Sequence, residues 1–87
     1  MRFRHILVSK KYEAEDVLGL LKKGRDFSDL ALKWSICASA KDGGDLGELK
    51  GKKIDSDFLE TAELLKVGEI SGIVRTRFGY HLIKRES

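Results

Sequence analysis

Residues 2–8 alternate, with Phe3, His5 and Leu7 on one side and Arg4, Ile6 and Val8 on the other. Apolar character on both sides predicts a strand inside a sheet. From Tyr12 to Lys23 the period becomes helical: Ala14, Val17, Leu18 and Leu21 stand at i, i+3, i+4 and i+7, and Gly24 supplies a stop. Asp26 is a cap-type residue ahead of a second helix, in which Phe27, Leu30, Ala31 and Trp34 repeat the spacing. Between Ser35 and Lys53 both periods fail. Serine, lysine, aspartate and Gly43, Gly44, Gly47 and Gly51 predict loop, with one short strand at Leu46–Leu49. Asp57 is expected to cap a third helix carrying Phe58, Ala62 and Leu65, ended by Gly68. Ile70–Val74 and Gly79–Arg85 read as strands joined by a turn around Arg75–Arg77. On the last strand Tyr80 and Leu82 share one face, His81 and Ile83 the other. The order β-α-α-β-α-β-β has no regular βαβ unit, so the fold class is α+β.

The length of 87 residues predicts a single domain, 1–87, with a small core. The charge is only +3, and acidic residues interrupt nearly every basic run, as in Lys10-Lys11-Tyr12-Glu13-Ala14-Glu15-Asp16. That reads as a solvated surface and gives no footprint for nucleic acid, which would also need aromatic and basic residues interleaved on a sheet. No window approaches the roughly 18 apolar residues of a membrane helix. The single cysteine, Cys37, cannot form an internal disulfide and points to a reducing compartment, or at least to a fold that needs no covalent staple. The opening Met1-Arg2-Phe3-Arg4-His5 does not read as a signal peptide. A native Met1 makes the expected location cytoplasmic; excision from an exported protein removes that expectation. The chain has no proline, so it has no slow X-Pro step of its own.

Candidate chemistry rests on few residues. The only two histidines, His5 and His81, fall at strand centres among apolar neighbours. Buried imidazoles need hydrogen-bond partners, and the nearest by type are each other, Thr76 and Cys37. Spacing alone leaves three readings open. The first is a satisfied core pair that ties two strands together. The second is a Cys-His nucleophile pair. The third is a metal site, for which two histidines and one cysteine without ligand-type spacing are a thin set.

Several blocks resemble the parvulin family of peptidyl-prolyl cis-trans isomerases. They are His5-Ile6-Leu7-Val8, Ser35-Ile36-Cys37-Ala38-Ser39-Ala40-Lys41, Gly43-Gly44-Asp45-Leu46-Gly47, Lys66-Val67-Gly68-Glu69-Ile70-Ser71 and Arg75-Thr76-Arg77-Phe78-Gly79-Tyr80-His81-Leu82-Ile83. They keep the family's order from Arg2 to Lys84. The resemblance implies a four-stranded antiparallel sheet wrapped by three to four helices, with an isomerase site on one face. It implies paired histidines at His5 and His81, with Cys37 beside them and Thr76 as the hydroxyl ahead of the last strand. Leu46, Ile54, Phe58, Glu63 and Phe78 fall at or beside the positions that wall its proline pocket. Ile54 stands where the family usually has methionine, a mild change. Glu63 stands where a second phenylalanine is usual, and a carboxylate there avoids the apolar wall and leaves it thinner.

The implied activity is non-covalent isomerisation of Xaa-Pro bonds in peptides and flexible protein segments, without a cofactor, by a monomer that needs neither nucleic acid nor membrane. A peptide-binding or chaperone-like domain with weak catalysis is the alternative, motivated by Glu63. Only Ser9-Lys10-Lys11 separates the first strand from the first helix, too little for the long basic loop of phosphate-directed parvulins.

Overall fold

The computed structural model describes residues 1–48 and 55–87. The elements are β1 (Arg2–Val8), α1 (Lys11–Lys22), α2 (Phe27–Trp34), a 3-10 turn (Ala38–Asp42), β2 (Asp45–Glu48), α3 (Ser56–Leu64), β3 (Val74–Thr76) and β4 (Gly79–Arg85). The four strands form one antiparallel sheet in the order β2-β1-β4-β3. The first and last strands are therefore the two central ones, paired from Phe3↔Arg85 to Val8↔Tyr80.

The period-2 pattern divides the core in two. On one face Ile6, Val8 and Leu82 pack against Ala14 and Val17 of α1 and Phe27, Leu30 and Ala31 of α2. On the other, Phe3 and Ile83 pack against Phe58, Ala62 and Leu65. Helix α3 thus covers only part of the second face, and the remainder carries the two histidines.

Local chemistry sets the element ends. Asp26 caps α2, its carboxylate accepting from Asp29 N–H at 3.1 Å. At α1, Glu13 reaches back to accept from Lys10 N–H at 3.1 Å. Gly24 follows with φ of 90°, a left-handed position suited to glycine.

Four boundaries differ from the sequence reading. Asp55, not Asp57, caps α3, accepting from Asp57 N–H at 2.9 Å. Asp57 lies inside the first turn, where its charge still favours the helix N-terminus. The strand expected at Ile70–Val74 is replaced by β3 at Val74–Thr76, and the turn falls at Arg77–Phe78. The reason lies in Ser71. Its N–H donates to Ile83 O at 2.8 Å, but its side-chain oxygen takes the Ile83 N–H at 3.0 Å while donating to Gly72 O at 2.7 Å. A hydroxyl thus replaces a backbone rung, and the chain touches β4 at Ile70 and Ser71 before rejoining it at Val74. The third difference is the 3-10 turn within the expected loop. The guanidinium of Arg4 donates to Asp42 O and Gly43 O, each at 3.1 Å, and so satisfies its terminal carbonyls. Strand β2 begins one residue before the expected Leu46, and Leu49 lies outside the described residues. Among the described residues no helix is long and apolar enough to cross a membrane.

Candidate active site

His5 on β1 and His81 on β4 share a face of the sheet because each is an even number of residues from an in-facing neighbour, Phe3 and Ile83 respectively. They stand diagonally, since His5 pairs with Ile83 and His81 with Leu7. Their rings lie nearly parallel, with centroids 5.2 Å apart and planes at 21°. His5 Nδ1 meets His81 Nδ1 at 3.1 Å, and His81 Nε2 meets Thr76 Oγ1 at 2.7 Å. Thr76 Oγ1 also accepts from Phe78 N–H at 3.1 Å. Phe58 of α3 sets the edge of this floor, crossing both imidazoles nearly at right angles with centroids 5.6 Å from His5 and 5.3 Å from His81.

A Nδ1···Nδ1 hydrogen bond holds one proton, so the two neutral rings must be opposite tautomers. The hydroxyl of Thr76 already accepts from Phe78 and has one hydrogen to give. Donation to His81 Nε2 leaves His81 protonated at Nδ1, donating to His5 Nδ1. This network-based assignment puts the remaining hydrogen on His5 Nε2. That nitrogen is buried and has no hydrogen-bond partner among the described residues.

Both rings resist protonation. Burial first, and then the neighbouring His81, lowers the His5 pKa to about 4. Burial also lowers that of His81, against the opposing pull of the Asp55 carboxylate. At neutral pH the floor is uncharged and aromatic, with a fixed chain of hydrogen bonds.

Cys37 is half-buried and unpaired. It lies on the segment 35–44, which runs beside β1 and is tied to it at both ends. Ser35 Oγ accepts from Leu7 N–H at 3.1 Å and Ile36 N–H donates to Leu7 O at 2.8 Å; at the far end His5 N–H donates to Gly44 O at 2.9 Å. Gly44 is required there, because a Cβ would stand 2.4 Å from His5 O at a φ of 84°.

Of the residues expected at the site, His5, His81, Thr76 and Phe58 converge. Leu46 is half-buried and packs on the cluster that contains Phe3 and Phe58. Phe78 is 57% exposed at the β3–β4 turn, its ring beneath the Arg77 guanidinium at 5.0 Å. It is therefore a rim residue and not a buried wall. Glu63 is exposed on α3 beside the buried Ala62, as the outward orientation predicted. Ile54 lies outside the described residues. Two residues were missed. Asp55 bears on His81 through its charge, and its only sequence signal was being one of two cap-type aspartates. Ser35 follows a helix with no periodic signal at all. Among the described residues no three His, Cys, Asp or Glu side chains converge in a way that could hold a metal.

Comparison with known proteins gives consistent matches. The family described as rotamase, PPIC-type PPIase domain, matches residues 5–87. The chain is 51% identical over 87 residues to the foldase protein PrsA of Caldanaerobacter subterraneus subsp. tengcongensis, covering 99% of this chain and 28% of that protein. The crystal structure of PrsA from Bacillus subtilis superposes with a TM-score of 0.94 at 46% identity, over 100% of this chain and 34% of that one. The solution structure of NmPin, the parvulin of Nitrosopumilus maritimus, gives a TM-score of 0.85 at 43% identity, over 100% of this chain and 95% of that one. The chain thus spans about a third or less of the two PrsA proteins but nearly all of the archaeal one.

Proposed function

Because this chain belongs to the family of PPIC-type peptidyl-prolyl cis-trans isomerase domains, the parvulins, we propose that it isomerises Xaa-Pro bonds in peptides and flexible protein segments by binding the twisted amide. Rotation about an amide meets a barrier of about 18–20 kcal/mol because twisting breaks resonance. The twisted form is less dipolar than the planar one, so an apolar, water-poor floor favours it over the ground state. The observation that carries this reading is the floor itself: two buried imidazoles held neutral, joined through Nδ1 at 3.1 Å and crossed by Phe58. Such a floor has no charge with which to compete for a planar carbonyl. The chain Thr76–His81–His5 keeps it rigid, so little reorganisation accompanies rotation. Phe58 grips the prolyl ring, and Cys37 acts near the carbonyl as a spacing and electrostatic group without forming a bond to it.

In this proposal the enzyme works as a monomer, without cofactor, nucleic acid or membrane, and is not directed to phosphate. Lys10 and Lys11 are both exposed, as solvated surface lysines would be. A cytoplasmic location is also proposed, supported by Cys37, a free thiol suited to a reducing compartment.

A second reading, peptide holding with weak catalysis, draws on Glu63, which removes an apolar side chain from the pocket margin. It is also in keeping with a relative's name as a chaperone. A protease-coupled assay on a panel of Ala-Pro, Leu-Pro, Glu-Pro and phosphoserine-Pro peptides separates the two. Turnover of several unphosphorylated peptides is expected. No turnover by folded protein that still binds the peptides would leave the holding role.

A further inference from the structure

We propose that Ser35 is a positioning residue of the isomerase site, its hydroxyl oxygen fixing where Cys37 stands relative to His5 and His81. The inference rests on the isomerase reading above and adds to it a residue outside the catalytic floor. Strand β1 pairs with β4 along one edge, but on the other edge β2 reaches only as far as Arg4. Beyond that point the outward backbone groups of β1 need other partners. His5 N–H finds Gly44 O at 2.9 Å, and Leu7 O receives Ile36 N–H at 2.8 Å. Leu7 N–H is left, and its acceptor is the Ser35 hydroxyl oxygen at 3.1 Å.

The same oxygen accepts from Cys37 N–H at 3.4 Å. One atom therefore links the backbone of the residue opposite His81, since Leu7 pairs with His81, to the backbone of Cys37. Ser35 ends α2, with its own N–H donating to Ala31 O at 3.0 Å. Its backbone serves the helix while its side chain serves the strand, so α2, β1 and the Cys37 segment meet at this residue. Alanine offers no acceptor and leaves two amide hydrogens competing for nothing nearby. The segment would still be tied at Gly44 but loose at the end next to Cys37.

Small displacements at a reacting centre reduce turnover steeply. Ser35→Ala, folded, is expected to lose about tenfold in kcat with little change in KM, the pattern of an interaction needed in the transition state. The rate of Cys37 alkylation by iodoacetamide across pH 6–9 is expected to change by about threefold or more, because thiol reactivity follows its surroundings. Ser35→Thr keeps the oxygen and is expected to restore both. Val17→Ala, in the core on the opposite face of the sheet, is the stability control and is expected to lower Tm while keeping kcat. Should Ser35→Ala not fold, Ser35→Cys, similar in size with a much weaker acceptor, carries the same expectation in kcat. Overturning results are a folded Ser35→Ala with kcat and alkylation profile like wild type, a Ser35→Thr no better than alanine, or a Val17→Ala that loses kcat equally at matched Tm. Absence of turnover in the wild type would instead overturn the isomerase reading, while the alkylation profiles still judge Ser35.

Discussion

Acidification should unfold this domain through its histidine pair before its carboxylates titrate. The unfolded chain protonates His5 near its ordinary pKa of 6.5, whereas the folded protein holds it neutral down to about 4. Between those values the unfolded state binds more protons, so stability rises with pH. The contribution is fully present above about pH 6.5 and is lost progressively as pH falls toward 4. A gap from 6.5 to about 4 at 1.36 kcal/mol per unit gives about 3 kcal/mol from His5 alone. His81 shifts in the same direction and adds to the slope. For a domain of this size each kcal/mol moves Tm by about 4–8 °C, so the loss is on the order of 12–24 °C. Asp45 has a lowered pKa, mainly through its hydrogen bond from Gly47 N–H, and its contribution is lost only as pH falls below its ordinary value of 3.8. The interval from pH 6.5 to 5 therefore reports on the histidines. The assay is Tm by circular dichroism at half-unit steps of pH, with His5→Asn beside wild type, and the imidazole proton shifts followed by NMR. The expected result is a Tm that falls below pH 6.5 in wild type and is much flatter in His5→Asn. A folded-state His5 that titrates near pH 6.5, or a slope unchanged in His5→Asn, would refute the reasoning.

The other expectations concern single side chains. His5→Ala leaves His81 Nδ1 without its partner and is expected to cost about 2–3 kcal/mol of stability together with most of the turnover; loss of activity with Tm unchanged would dismiss its structural role. Cys37→Asp should keep substantial activity, and thiol modification of the wild type should block turnover of prolyl peptides. A well-folded, inactive Cys37→Asp would point to a nucleophile. Glu63→Phe should raise kcat/KM on an Ala-Pro peptide by up to about fivefold, near 1 kcal/mol, because an exposed position buries only part of the new ring; an unchanged or lower value in folded protein would acquit Glu63.

Where periodicity and a local cap agree, the sequence is explicit. Phe27–Trp34 forms the expected helix behind Asp26 because four apolar residues face one side and the carboxylate serves the first turn. The histidine pairing was legible for the same kind of reason: alternation on β1 and β4 aims both rings inward, where only a few groups are available to them. Features built on side-chain substitution for backbone were hidden. Ser71 breaks the expected Ile70–Val74 strand by offering a hydroxyl in place of a rung. The 3-10 turn depends on Arg4, 38 residues from Asp42 in sequence. Asp55 and Asp57 are equally plausible caps until the helix axis is known. Serine at position 35 has the composition of any loop residue, and only the strand edge beside it gives its hydroxyl a task.

The central pairing of β1 with β4 has a consequence for the order of events during synthesis and folding. The two imidazoles are 76 residues apart in the chain, so they meet only after the longest loop in the domain has closed. Closing so long a loop costs entropy that local helix formation does not recover, which makes this contact late and slow compared with α1 or α2. A nascent chain that has not yet released β4 has helices and a hairpin's worth of sheet but no floor on which to bind a prolyl ring. Activity therefore appears in one step with completion of the fold, and a burst of isomerase signal after refolding measures the joining of the first strand to the last.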